Sequence, residues 1–184
     1  MIEEFLKEAE GRMKKAVAKF KSDLSGMRTG RASVGLVENI KIDYYGTELP
    51  LKQLATISTP EPSQILIQTW DQNAVKLIEK ALIESNIGAN PQTEGNIIRL
   101  NLPPMTEERR KELVKVLHKM AEEARIAIRN IRRDEKENIE SLKKEGFSED
   151  DIKRALEKLQ KITDKYINEI NQLTKNKEEE ILSI

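Results

Sequence analysis

The sequence predicts an α+β protein of two domains, a long antiparallel three-helix bundle into which a small α+β domain is inserted. Three observations carry that expectation. Apolar residues recur at helical spacing over both ends of the chain. All six prolines, at positions 50, 60, 62, 91, 103 and 104, fall between Arg31 and Met105. Charge thins over the same stretch, to 14 Asp, Glu, Lys and Arg side chains in residues 31–105 against 50 in the other 109 residues. The predicted bundle therefore takes 1–29 and 106–184 and the inserted domain 30–105, with hinges near 29–31 and 103–105.

The first helix is predicted over 2–28. Ile2, Phe5, Leu6, Ala9, Met13, Ala16, Val17, Phe20, Leu24 and Met27 make one apolar face. Gly11 lies opposite that face, where it weakens helix propensity by ~1 kcal/mol without opening a hole. Gly26 and Gly30 bracket Met27-Arg28-Thr29, where the helix should fray and turn. Strands are expected over Ile40–Tyr44, Leu54–Ser58, Gln64–Thr69 and Ile97–Leu102, with a turn at Gly46. Asp71 caps a single helix over 72–86 that turns Val75, Ile78 and Leu82 inward, and Gly88 follows its end.

Pro103 and Pro104 end the last strand and lead into a second helix from Thr106. Its seam runs through Leu113, Leu117, Met120, Ala124, Ala127/Ile128, Ile131, Ile139 and Leu142 to Glu145, with a polar gap at 134–138. Gly146 reads as a C′ residue, and Phe147, Ser148, Asp151 and Ile152 give the staple and N-cap signals of a third helix. That helix carries Ile152, Leu156, Leu159, Ile162/Thr163, Tyr166, Ile170, Leu173 and Ile181 to the C-terminus. The short turn makes the last two helices antiparallel neighbours. Three charged helices with apolar seams must bury those seams together.

Bases and acids balance at 32 each, which confines any nucleic-acid site to a local patch. Cysteine is absent, so there is no disulfide framework. The charged N-terminus is unlike a secretory signal, and no run approaches the roughly 18–20 apolar residues that span a membrane. A soluble cytoplasmic protein with no membrane partner is expected.

The patch to weigh is Ala124–Asp134. Ala124, Ala127, Ile128 and Ile131 would face the core. Arg125, Arg129 and Arg132, four and then three residues apart, form one exposed stripe, with Arg133 further round. No acid falls between Ala124 and Arg133, so the row reads as uncompensated guanidiniums suited to bidentate phosphate contact. A solvated helix face is the alternative. Arg28 and Arg31 make a second basic site, in an acid-free run from Leu24 to Val37 that includes the Thr29-Gly30 junction. Arg109 and Arg110 are weaker candidates, being flanked by Glu107, Glu108 and Glu112. Two basic sites along one rod suit an extended polyanion such as a folded RNA.

Catalysis finds little support. His118 is the sole histidine and is expected on the surface; with no cysteine, a zinc site or a Cys–His pair is excluded. No glycine-rich phosphate loop is present. No catalytic residue, metal or cofactor is expected. Trp70, Tyr44 and Tyr45 could stack on bases but are expected in the core of the small domain. A helical adaptor for a protein partner and an enzyme seated in the α+β domain stand as rival classes on the residues alone.

Several stretches, taken together, are similar to the ribosome recycling factor family. They are Met27-Arg28-Thr29-Gly30-Arg31-Ala32-Ser33, Tyr44-Tyr45-Gly46, Gln53-Leu54-Ala55 and Gly88-Ala89-Asn90-Pro91. To these add Leu102-Pro103-Pro104-Met105-Thr106-Glu107-Glu108-Arg109-Arg110 and Ala127-Ile128-Arg129-Asn130-Ile131-Arg132-Arg133-Asp134. The resemblance covers essentially the whole length, in order. It implies an L-shaped, transfer-RNA-mimicking monomer that is not an enzyme. It implies that Arg28, Arg31, Arg129 and Arg132 contact large-subunit ribosomal RNA near the subunit interface, with Arg125 and Arg133 as supporting charges. Thr29, Gly30, Pro103 and Pro104 match the family's interdomain hinge. Elongation factor G would push the smaller domain and, with GTP hydrolysis, split the post-termination ribosome, releasing messenger and transfer RNA. The Asn90–Thr93 segment is expected in a loop.

Overall fold

The computed structural model describes residues 1–85 and 87–183. In chain order its elements begin with α1 (Ile2–Ser25), β1 (Lys41–Tyr44), β2 (Thr47–Pro50), β3 (Ala55–Glu61) and β4 (Gln64–Thr69). There follow α2 (Val75–Glu84), β5 (Pro91–Glu94), β6 (Ile97–Asn101), α3 (Glu107–Ser141) and α4 (Glu149–Leu182). The backbone divides into two units, one of Met1–Leu24 with Glu112–Glu179, the other of Ser25–Lys111 with the chain from Glu180 on.

The first unit is helical. Leu6, Ala9, Met13, Val17 and Phe20 of α1 are buried, as are Leu117, Ala121, Ile128 and Ile139 of α3 and Ile152, Leu159, Tyr166 and Ile170 of α4. Pairs between helices give their directions. Arg125 meets Asn171 while Arg132 meets Gln160, so α3 and α4 run antiparallel. Lys158 meets Glu3 and Lys165 meets Glu10, so α1 and α4 run parallel. Gly146, at φ 92°, makes the reversal after α3. There the left-handed backbone favours glycine. The Ser148 hydroxyl caps α4 by accepting from the Asp151 amide at 3.1 Å.

The expected seam of α3 is corrected at two places. Ala121 is buried and Met120 only half-buried. The polar gap at 134–138 is not a gap: Glu135 continues the seam at 1% exposure. Its carboxylate accepts from Arg12 of α1 at 3.3 Å, and the same guanidinium reaches Asp134 at 3.0 Å. Helix α1 stops at Ser25, before Gly26 rather than at 28. The last residue of the predicted third helix, Ile184, lies outside the described residues.

The second unit contains a four-stranded antiparallel sheet, order β3-β4-β6-β5, and the separate hairpin β1-β2. Ile65 and Ile67 of β4, Ile98 and Leu100 of β6, and Val75, Ile78 and Leu82 of α2 share one core with Ile42 and Leu51. The Asp71 carboxylate accepts from the Asn73 amide at 2.9 Å and starts a 3-10 turn that feeds α2. Helix α2 stops at Glu84 with Ser85 as its C-cap, short of the predicted end at 86, which itself lies outside the described residues.

Two strands escape the apolar-alternation pattern. Strand β2 has no buried residue, but Tyr45 and Gly46 both take positive φ, the pair that a tight hairpin turn with right-handed strand twist needs. Strand β5 stands where a loop was expected at Asn90–Thr93. Pro91 occupies its first position on the sheet edge, where a missing amide is tolerated, and Gly95 at φ 61° turns the chain into β6.

The aromatic expectation is also corrected. Tyr45 is 72% exposed at the hairpin tip, and Trp70 is 66% exposed because it follows buried Thr69 on an alternating strand. Tyr44 is half-buried and donates its hydroxyl to Asp71 at 2.5 Å.

Candidate nucleic-acid interface

Arg125, Arg129, Arg132 and Arg133 all lie on α3, beside the buried Ile128 and Ile131. From Arg125 to Arg132 the helix rises about 10 Å. Arg125 is not fully exposed. Its side chain, at 21% exposure, lies against α4 and donates through Nε to the Asn171 side-chain oxygen at 2.9 Å. A terminal nitrogen of Arg125 donates to Glu122 at 3.1 Å, and Arg129 donates to the other oxygen of the same carboxylate, also at 3.1 Å. The row is therefore compensated by an acid one turn upstream, outside the acid-free stretch that defined it. Hydrogen bonds from Arg125 and then Arg129 hold the Glu122 carboxyl below its ordinary pKa. Arg132 is half-buried and donates to Gln160 at 3.1 Å, while its Nε is buried without a hydrogen-bond partner. Arg133 is exposed.

Arg28 and Arg31 belong to the second unit. Arg28 is half-buried, and its guanidinium donates to the Pro103 carbonyl. Burial first, and then the charge of Arg109, lower its pKa. Arg31 is exposed. The four expected hinge residues, Thr29, Gly30, Pro103 and Pro104, lie outside helices and strands in this same unit. Close to them, the Ala32 amide donates to Pro62 and the Leu102 amide to Ser63, each at 2.7 Å. Both connecting strands thus hang from adjacent carbonyls of the β3–β4 turn.

Three features went unread in the sequence. Glu122 stands three residues before Arg125 and seven before Arg129, a spacing that helical geometry brings together. Buried Glu135 gave no apolar signal. Gly35 is needed for space: a Cβ there would sit 2.7 Å from the Ser25 carbonyl oxygen. His118 is half exposed and lies 3.4 Å from Glu178. No cluster of acidic or histidine ligands suited to a metal occurs among the described residues, and no helix among them is long and apolar enough to cross a membrane.

Long helices that carry arginines, joined in one chain to a small antiparallel-sheet unit, define a two-part α+β protein. The family model for ribosome recycling factor matches residues 20–182. The chain is 62% identical over 184 residues to a ribosome-recycling factor of Hydrogenobaculum sp. (strain Y04AAS1), covering 100% of both. It is 60% identical to that of Aquifex aeolicus (strain VF5), covering 100% of this chain and 98% of the relative. This chain belongs to the ribosome recycling factor family, whose members are translation factors and not enzymes.

Solved structures agree. A solution structure of a ribosome recycling factor superposes with TM-score 0.79 at 60% identity, covering 100% of this chain and 98% of that one. A second, with TM-score 0.68 at 44% identity and full coverage of both, is the T. thermophilus ribosome recycling factor. It was described together with E. coli elongation factor G, bound to the E. coli post-termination complex.

Proposed function

We propose that this chain recycles ribosomes. It binds the post-termination ribosome and, with elongation factor G and GTP hydrolysis, promotes its separation into subunits and the release of messenger and transfer RNA. The end-to-end match to ribosome-recycling factors at 62% identity carries this reading. It works in the cytoplasm, as a non-catalytic factor.

Binding uses large-subunit rRNA near the subunit interface. Arg129 and Arg132 are the principal phosphate contacts, with Arg125 and Arg133 beside them; Arg28 and Arg31 serve the second site. The uniform helix rise supports this, since it sets several guanidiniums in one line on a rigid support. The bundle of 1–29 with 106–184 and the domain of 30–105 move about Thr29–Gly30 and Pro103–Pro104. Paired connecting strands lacking regular structure support that hinge.

The test is light scattering of post-termination ribosomes. Adding this chain with elongation factor G and GTP lowers the scattered intensity, and omitting any one of the three abolishes the drop. Unchanged scattering with all three present would contradict the assignment.

A further inference from the structure

We infer that Glu122 sets the affinity of the α3 face for RNA: its carboxylate occupies the place of an RNA phosphate between Arg125 and Arg129, and an RNA that contacts both arginines must displace it. This rests on the proposed rRNA contact of that face. Each oxygen of one carboxylate receives one guanidinium at 3.1 Å, so two arginines already converge on a single anion. The non-bridging oxygens of a phosphate offer the same pair of acceptors to arginine nitrogens.

What holds the arginines and what fills the site are separable. Arg125 is anchored independently, through Nε, to Asn171 of α4. Glu122 is the exchangeable partner, half exposed at the surface. Exposed ion pairs are individually weak enough for a polyanion to displace. Arginine hydrogen bonds hold the carboxyl below its ordinary pKa, so the competitor stays charged at neutral pH.

Arg132 differs, because its partner Gln160 is neutral. A phosphate reaches it without expelling a charge. The row thus has an open half at Arg132 and a guarded half at Arg125 and Arg129. An RNA that fills both halves bears the cost of displacing Glu122, and one that touches only Arg132 does not.

The experiment compares the wild-type chain with Glu122→Gln, in binding to homopolymeric uridine RNA and to large ribosomal subunits from about 50 to 200 mM KCl. The variant should bind uridine RNA about three- to fivefold more tightly, as the loss of one weak, exposed competitor allows. Its log K against log salt should steepen by about one. Large subunits, whose RNA fills the guarded half, should gain by at least the same factor. Glu123→Gln, an exposed neighbour, serves as a charge-matched control and should show no such gain. The gain should also vanish when Arg125 and Arg129 are both replaced by Ala, which isolates the coupling.

Unchanged or weaker RNA binding by a folded Glu122→Gln chain overturns the inference and makes Glu122 only a positioning residue. An Arg129→Ala arm separates the two levels. If it loses affinity while Glu122→Gln gains none, the arginine face stands and the competition model falls. If Arg129→Ala binds as wild type, the face itself is wrong and the inference goes with it.

Discussion

Two places in the helical unit where arginines from neighbouring turns or helices gather on carboxylates differ in their surroundings. In one, Arg12 of α1 reaches across to Glu135 and Asp134 of α3, and the Glu135 side chain is 1% exposed. In the other, Arg125 and Arg129 share Glu122 on the surface of α3, with that carboxylate 50% exposed. The functional groups are the same and the bond lengths similar. Burial separates their roles. A carboxylate without water depends on its partner, so the first pair fastens two helices. A carboxylate in water can exchange its partner, so the second is open to another anion.

The largest effect should come from breaking the buried cluster. Arg12→Met leaves Glu135 inside the bundle with only a 3.4 Å contact from Asn138. It should destabilise the chain by about 3 kcal/mol, read as a lowered midpoint in urea unfolding. Adding Glu135→Leu removes the stranded charge and should restore most of that loss. If the double variant is as unstable as the single, the cluster is not a simple buried pair.

A second contact on the same side of the comparison is smaller and depends on pH. Tyr166 is buried and donates its hydroxyl to Glu10 at 2.9 Å, which links α4 to α1. Burial, and then that hydrogen bond, push the phenol up from 10.0 to about 12. The folded state therefore holds this proton more tightly than the unfolded state. The corresponding stability is fully present below pH 10 and is lost as pH rises toward 12. The unfolding free energy should fall by up to about 2 kcal/mol over that window, read from urea titrations, and Tyr166→Phe should flatten this part of the profile.

Much of the fold was legible because each element announced itself locally. The seams of α1, α3 and α4 followed helical spacing, Gly146 and Ser148 marked the turn between the last two helices, and Asp71 marked the start of α2. Strands β2 and β5 were hidden, since pairing rather than apolar alternation forms them. Glu135 was hidden for the opposite reason: a charged residue holds a core position, and only its partner on a distant helix makes that tolerable. For the site, the arginines of α3 could be read directly. Their company could not, because Glu122 lies just upstream of the acid-free stretch that begins at Ala124. Tyr45 and Trp70 show the same limit, as aromatic character suggested burial while turn geometry and strand alternation turned them out.

The arginine row of α3 serves RNA before it serves the fold. Sedimentation of Arg132→Glu with large ribosomal subunits over a range of KCl concentrations, on protein whose urea midpoint has been compared with wild type, tests it most directly. A somewhat lowered midpoint is expected, because Arg132 is half-buried against Gln160, together with much weaker binding and a shallower salt dependence. Wild-type binding and salt slope by the folded variant would contradict it.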